Sequence, residues 1–286
     1  MIKGQNMKTL YISDLDGTLL DATPHTSEYT NKVIKALHDS DIIFSFATAR
    51  SYTTTKQVTK GLSMKYPAVV HNGTFIVDTF GKIITKNTFS KEDSDFIIDT
   101  LLELEINPIV YSLINDKEQF SFIRSKLNKE ALAFLAMREN DPRKREIFAN
   151  ENFYDGEVYY FTLIGDEEKT EPLYHKLKDS FQCYFQRDLY SGDYWLEILP
   201  KGATKANAVK QLASMLDCEK IVAFGDGIND VEMFSIADEC YAVENAEDVL
   251  KEKSTDIIGK NTDDGVAKWL ENNLHFDACN FRDVTL

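Results

Sequence analysis

Short apolar runs and amphipathic stretches alternate along the first part of the chain. "TLYIS" (Thr9 to Ser13), "IIFSFA" (Ile42 to Ala47) and a run from Ala68 to His71 read as strands. Between them, apolar positions at helical spacing mark a helix near Tyr29 to His38 and another ending near Gly61. The second and third strands are apolar on both faces, as strands covered from two sides should be. Strand and helix in alternation predict βαβ units, hence a parallel sheet with helices packed on it.

The pattern then changes. Thr74 to Val77 and Ile83 to Thr88 flank Thr79-Phe80-Gly81 and read as a hairpin. From about Asn87 the sequence predicts a helix opened by the capping box Ser90-x-x-Asp93, with apolar Phe96, Ile97, Leu101 and Leu104. A strand pair turning at Asn115-Asp116 follows, then a helix near Lys129 to Arg138 and a strand from Val158 to Ile164. A helix near Glu168 to Lys178 leads to strands at Gln182 to Arg187 and Tyr194 to Leu199. After Pro200 the alternation resumes: a helix at Lys205 to Leu216, the strand "IVAF", a short helix from Asp230, a strand near Cys240 to Val243, and helices near Glu247 to Lys251 and Val266 to Asn272. The sheet domain is therefore expected to draw on both ends of the chain, with an α+β domain inserted.

Composition narrows the function. The 286 residues are 43% hydrophobic and 28% charged, ordinary values for a chain that buries a sizeable core. A net charge of -15 repels polyanions, which argues against nucleic acid as a partner. The longest basic cluster, Arg143-Lys144-Arg145, is flanked by acids and reads as a solvated loop. Cys183, Cys218, Cys240 and Cys279 form no C-x-x-C pair and the five histidines no H-E-x-x-H, which argues against a zinc site or a disulfide framework. No apolar run approaches the ~20 residues that span a bilayer, and the start lacks the apolar core of a signal peptide, so a soluble, cytoplasmic protein without a membrane partner is expected.

Four clusters fall at strand ends, where open α/β sheets bind ligands. The first is Asp14-Leu15-Asp16-Gly17-Thr18. Residues two apart on a strand share a face, so the two carboxylates are expected to converge while Gly17 turns the backbone away. Acids that close repel unless a cation lies between them, and a hard ion such as Mg²⁺ suits oxygen ligands. The alternative is an Asx turn at a strand end. An EF-hand fails on count, because Leu19 occupies its glycine position and His25 its glutamate position.

The second cluster is "FATAR", Phe46 to Arg50, where Thr48 and the N–H of Ala49 suit a phosphate oxygen, although a threonine so placed is more often a simple helix cap; His71-Asn72-Gly73 is similarly placed after the third strand. The third is Lys205 in "KGATKANAV": with Thr204 as N-cap, a cation sits in the first helical turn, where the macrodipole disfavours it unless an anion lies alongside. A tolerated exposed lysine is the other reading. The fourth is "FGDGIND", in which Asp226 and Asp230 can face one cleft. It misses the dinucleotide fingerprint G-x-G-x-x-G at its last position, and no G-x-x-x-x-G-K-[ST] occurs. Acids for a divalent cation, one lysine, and hydroxyl and amide donors together describe metal-assisted phosphoryl transfer.

The order DLDGTLL, then A-T-x-R, then a lysine, then GDGxND resembles the haloacid dehalogenase superfamily, and more narrowly the Cof-type (class IIB) sugar-phosphate phosphatases. The terminal stretch "ENAEDVLKEKSTDIIGKNTDDGVAKWLE" is similar to the ending of that subfamily. The resemblance implies a Rossmann-like, doubly wound parallel core at 1–86 and 197–286, with an α+β cap at 87–196 that selects substrate. It implies that Asp14 is the nucleophile and Asp16 the general acid and base. Mg²⁺ would be held by Asp14, the Asp16 carbonyl and Asp226, with Asp230 acting through water or orienting its neighbours. Thr48 and the Ala49 amide would hold phosphoryl oxygens, Lys205 would bridge phosphate and nucleophile, and Asn229 would steady the loop, with Arg50, Asn72 and Gly73 as further contacts. One departure stands out: the family has A-T-G-R, and Ala49 replaces that glycine. The implied activity is hydrolysis of a small phosphorylated metabolite by a monomer or weak homodimer. A phosphotransferase or phosphomutase, or a phosphate-binding regulator without catalysis, are the alternatives. Within the cap, "FQRDLYSGDYW" (Phe185 to Trp195) is the candidate for substrate contacts, against a packing role for its aromatics.

Overall fold

β1 (Thr9–Ser13) and β2 (Ile43–Phe46) run parallel and adjacent, joined through α1 (Glu28–Asp39). The computed structural model describes residues 7–165, 167–187, 192–274 and 276. Ser27 caps α1 by accepting the Thr30 N–H, and the helix turns Val33, Ile34 and Leu37 inward. Every residue of β2 is buried, which accounts for its unbroken apolar run. α2 (Tyr52–Val58), capped by Ser51, leads to β3 (Ala68–Val70).

The third strand departs from expectation. It meets the line of β2 through a single parallel bridge, Ala47 to Val69, and pairs antiparallel with β4 (Phe75–Val77), which in turn pairs with β5 (Ile83–Lys86). Thr48 is the cause: its N–H donates to the Val69 carbonyl at 3.0 Å while its carbonyl accepts the Asn72 N–H at 2.9 Å. The backbone after Ala47 thus closes onto the end of β3 as a loop and the parallel ladder stops.

The insert begins at α3 (Lys91–Glu103), capped by Ser90. Its inward residues are Ile97, Ile98 and Leu101, whereas Phe96 is 47% exposed and Leu104, past the last turn, is 50% exposed. Phe96 lies on the rim of the core, against Phe181 and beneath Lys176. β6 (Ile109–Ile114) and β7 (Lys117–Phe122) form a hairpin whose turn residues, Asn115 and Asp116, both have positive φ, as a two-residue type I′ turn requires. α4 (Lys129–Ala136) precedes β8 (Lys144–Glu146), an edge strand parallel to β7 in place of the expected solvated loop. Arg143 is buried there because its charge is met: it pairs with Asp141 at 2.6 Å and Glu118 at 3.3 Å and lies over the Phe120 ring. β9 (Glu157–Ile164), α5 (Glu167–Leu177), β10 (Gln182–Arg187) and β11 (Tyr194–Leu199) complete a six-stranded sheet in the order β10-β11-β9-β6-β7-β8. Alternation puts Val110, Phe161, Leu163, Leu196 and Ile198 on one face, where they pack with the inward residues of α3 and with Leu173 and Leu177 of α5. In the stretch singled out for substrate contacts, Phe185 stacks between Tyr174 and Tyr194, a packing role; residues 188–191, like Cys279, lie outside the described residues.

The chain then returns to the first sheet through α6 (Lys205–Met215), β12 (Lys220–Gly225), α7 (Val231–Ile236), β13 (Glu239–Val243), α8 (Asp248–Lys251), β14 (Asp256–Ile258) and α9 (Gly265–Asn273). The sheet order is β14-β13-β12-β1-β2, all parallel. β14 carries no alternation or apolar run long enough to mark it in sequence. Strand order reverses between β1 and β12, the switch point at which doubly wound sheets bind ligands beyond their carboxyl ends. By backbone contacts the chain divides into two compact units, Met1–Lys86 with Thr204–Leu286, and Asn87–Ala203. Among the described residues no helix is long and apolar enough to cross a membrane.

One buried titratable group lies within α1. His38 is 3% exposed, with Nε2 donating to the Phe44 carbonyl at 3.1 Å and Nδ1 accepting from the Ser63 hydroxyl at 3.0 Å. Burial pushes its pKa below the ordinary value, and neighbouring Lys65 adds to the shift. In the unfolded chain it takes up a proton near about pH 6.5, while the folded state resists, so stability is lost as the pH falls below that value. Urea unfolding at about pH 5 and 7.5 should show this loss in the wild type and a flatter profile in His38→Gln.

Candidate active site

The ladder between β1 and β12 runs one residue past β1. The Asp14 N–H donates to the Phe224 carbonyl at 2.9 Å, which delivers the aspartate beside the end of β12. The backbone then turns at Gly17, where φ is +75° and an added Cβ would fall 2.2 Å from Asp226 Oδ2. Only glycine meets both the conformation and the space. From the same turn the Thr18 hydroxyl donates to Asp226 Oδ1 at 2.6 Å. After β12, the Asp226 and Gly227 N–H groups donate to Asp230 Oδ2 at 3.0 and 3.2 Å, folding "GDGIND" back so that Asp230 points inward.

Lys205 joins these pieces. Thr204 caps α6 by accepting the Asn207 N–H, as the sequence predicts, so Lys205 opens the helix. Its side chain is fully buried and donates to Asp14 Oδ1 at 2.6 Å and Asp230 Oδ1 at 2.7 Å. The exposed-lysine reading is thereby excluded. One carboxylate oxygen from each of Asp14, Asp226 and Asp230 lies within 4.8 Å of the others.

Burial drives the electrostatics. It pushes the Asp14 carboxyl well above the usual range, with Lys205 opposing and the neighbouring acids adding to the shift. Asp226 is raised to about 7, first by burial and then by Asp230, against the Thr18 hydrogen bond and Lys205. Burial works against the Lys205 ammonium too, but Asp14 and Asp230 outweigh it and hold its pKa above the ordinary lysine value. Lys205 engages two of the three clustered carboxyl groups, and the ligand atoms that the three present to one another are all hard oxygens. The residues present therefore fit a divalent cation such as Mg²⁺.

Asp16 is outside the acidic cluster: both its oxygens are taken by Arg50, from Nε at 2.7 Å and Nη2 at 2.6 Å. The period-two argument fails because β1 stops at Ser13 and Asp16 already lies in the turn. Thr48 is buried, and its hydroxyl accepts the Arg50 N–H at 3.1 Å. Ala49 is exposed and does not have a positive φ, so alanine replaces glycine there without backbone strain. His71, Asn72 and Gly73 all have positive φ, a contorted end to β3. A Cβ on Gly73 would lie 2.1 Å from the Thr204 carbonyl, so this glycine lets the loop rest against the start of α6. Asn229 Nδ2 donates to Asn72 Oδ1 at 3.3 Å, linking the loops after β3 and β12. Thr18 is the residue that sequence reasoning passed over, although a hydroxyl directly after the glycine of an Asp-x-Asp-Gly turn was a usable signal.

Two substitutions test the charge balance. In chelator, Lys205→Met should lower the unfolding free energy by about 3–5 kcal/mol, because it strands buried carboxylates. Asp226→Asn should instead raise it, since the amide keeps an acceptor for Thr18 and removes a repelling charge. Urea unfolding of the metal-free proteins checks both signs.

Comparison with known proteins agrees with this geometry. The family model for haloacid dehalogenase-like hydrolases matches residues 11–270. Among curated proteins, the chain is 29% identical to 5-amino-6-(5-phospho-D-ribitylamino)uracil phosphatase YwtE of Bacillus subtilis (strain 168), over 93% of this chain and 97% of that one. It is 24% identical to the HMP-PP phosphatase of Serratia proteamaculans (strain 568), over 93% and 95% of the two chains. Among solved structures, TM0651 from Thermotoga maritima superposes with a TM-score of 0.76 at 27% identity, covering 93% of this chain and 97% of that one. The HAD subclass IIB sugar phosphatase BT4131 shares the fold, with a TM-score of 0.71 at 18% identity over 93% and 98% of the chains. With its acids at the switch point of a doubly wound sheet and a family match spanning nearly all of the described residues, the chain belongs to the haloacid dehalogenase-like hydrolases.

Proposed function

We propose that the protein is a Mg²⁺-dependent phosphatase that hydrolyses a small phosphorylated metabolite, in the first instance a sugar phosphate, through a phosphoryl group carried on Asp14. The observation that carries this reading is the buried Lys205 ammonium shared between Asp14 and Asp230, with Asp226 clustered beside them. Asp14, Asp226 and the Asp16 carbonyl would hold Mg²⁺, with Asp230 orienting Lys205 and the loop. When bound, the ion neutralises charge on the nucleophile and on the phosphoryl oxygens.

The chain's own residues do the rest. Lys205 fixes Asp14 through Oδ1, leaving its second oxygen to attack phosphorus. As that O–P bond forms, the ester O–P bond breaks, and the leaving oxygen takes a proton from Asp16. The Asp16 carboxylate then removes a proton from water, whose oxygen attacks phosphorus and frees Asp14. Both Asp16 oxygens accept from Arg50, so Asp16 meets the leaving oxygen only after releasing Arg50. The Thr48 hydroxyl, the Ala49 N–H and Lys205 would receive the phosphoryl oxygens. Asn229 and Asn72, with Gly73, would keep the loops in register, and Arg50 is freed for the substrate.

All of these residues belong to the unit that contains both chain ends. We assign choice of substrate to the other unit, Asn87–Ala203. The printed substrates of the two curated relatives, a phosphoribitylamino uracil and HMP-PP, support a small phosphorylated metabolite as the class.

A panel of phosphate esters, assayed with and without Mg²⁺, tests the reading. Phosphate release should require the metal and fall by roughly 10³-fold or more in Asp14→Asn, as expected when a covalent nucleophile is removed. Turnover unchanged by that substitution would overturn it.

A further inference from the structure

Within the sheet-bearing unit, α2, the loop that follows it and the tip of the β4–β5 hairpin enclose a cavity of about 350 Å³ that the proposed chemistry does not use. Its size is that of a small-ligand site. Tyr52 and Met64 give it apolar walls, and Phe80, 87% exposed at the hairpin tip, adds an aromatic edge. An aromatic side chain held that far into water has surface to cover.

The polar features have one sign. Lys56 and Lys60 are exposed and line the cavity, and no lining residue is acidic, in a chain whose net charge is -15. Lys56 Nζ stands 5.7 Å from the centre of the Tyr52 ring. The nearest hairpin acid, Asp78, is turned to the Phe80 and Lys82 N–H groups, each at 2.9 Å. Thr55 also lines the cavity and is 1% exposed, and its hydroxyl has no hydrogen-bond partner among the described residues. Buried hydroxyls are ordinarily satisfied.

We propose that this cavity binds a flat aromatic anion of one or two rings, with the ring against Phe80, Tyr52 and Met64 and the anionic group between Lys56 and Lys60. The anion can be a carboxylate or a phosphate-like group. The site is separate from the acidic cluster and does not depend on the reaction assigned to it.

The test uses the full chain in chelator, with the Met64 methyl resonance as a local reporter. Titrations with 2-naphthoate and with non-hydrolysable 1-naphthylphosphonate identify the anion, and 2-naphthamide is the neutral control. At least one anion should shift the Met64 signal saturably; response to one alone names the carboxylate or the phosphate-like source. The amide should bind about tenfold more weakly, and the Lys56→Glu/Lys60→Glu variant should bind the anion about tenfold more weakly than wild type. Phe80→Ser, which keeps both lysines, should also weaken binding. No Met64 shift with either anion, equal binding of the amide, or undiminished binding by the double-lysine variant would overturn the proposal.

Discussion

Lys205 is the point on which the acidic centre depends. Two buried carboxylates with a third, half-buried, beside them need compensation, and the ammonium that compensates the buried pair comes from the first turn of a helix, where the backbone dipole alone disfavours a cation. Asp14 and Asp230 reverse that preference. The arrangement draws on three separated stretches of chain: the end of β1, the start of α6 and the loop after β12. Each is held by hydrogen bonds of backbone N–H groups. These include the Asp14 N–H on Phe224, the Thr204 cap on Asn207, and the Asp226 and Gly227 N–H groups on Asp230.

Close approach of backbones makes this possible, and glycine is required where it happens. Gly17 lets the turn after Asp14 pass against Asp226, and Gly73 lets the end of β3 pass against Thr204. The left-handed run from His71 to Gly73 is a local cost borne by a loop that touches both α6 and, through Asn72, Asn229. The unit loses a full third ladder partner for β2 at the same place, because Thr48 hydrogen-bonds to Val69 and Asn72 as β2 ends. Regular sheet gives way where the candidate phosphate-binding residues begin.

The insert follows a different logic. Its sheet places an apolar face against α3 and α5, and the buried Arg143 is met by acids. In sequence alone Arg143 belongs to a basic run of three, but in the fold Asp141 and Glu118 surround it and Phe120 lies beneath. A run of like charges says nothing about which acids lie across a sheet. The same limit applied to Phe96, whose helical spacing was correct but whose neighbour Ile98 takes the inward position.

The sequence by itself determined the alternation of elements, the hairpin turn at Asn115-Asp116, the caps at Ser90 and Thr204, and the clustering of chemistry at strand ends. All of these are set by local periodicity, turn conformation and short-range hydrogen bonds. It also singled out Asp14, Lys205, Asp226 and Asp230, since buried-strand acids and a lysine in a first helical turn are locally unfavourable and call for partners. Only the tertiary structure decided who those partners are. Asp16, grouped with Asp14 by spacing, pairs with Arg50 because the strand ends one residue before Asp14. Lys205 finds Asp14, and Thr18 finds Asp226, because parallel strands β1 and β12 lie side by side, a neighbour relation between residues some two hundred positions apart that no local pattern encodes.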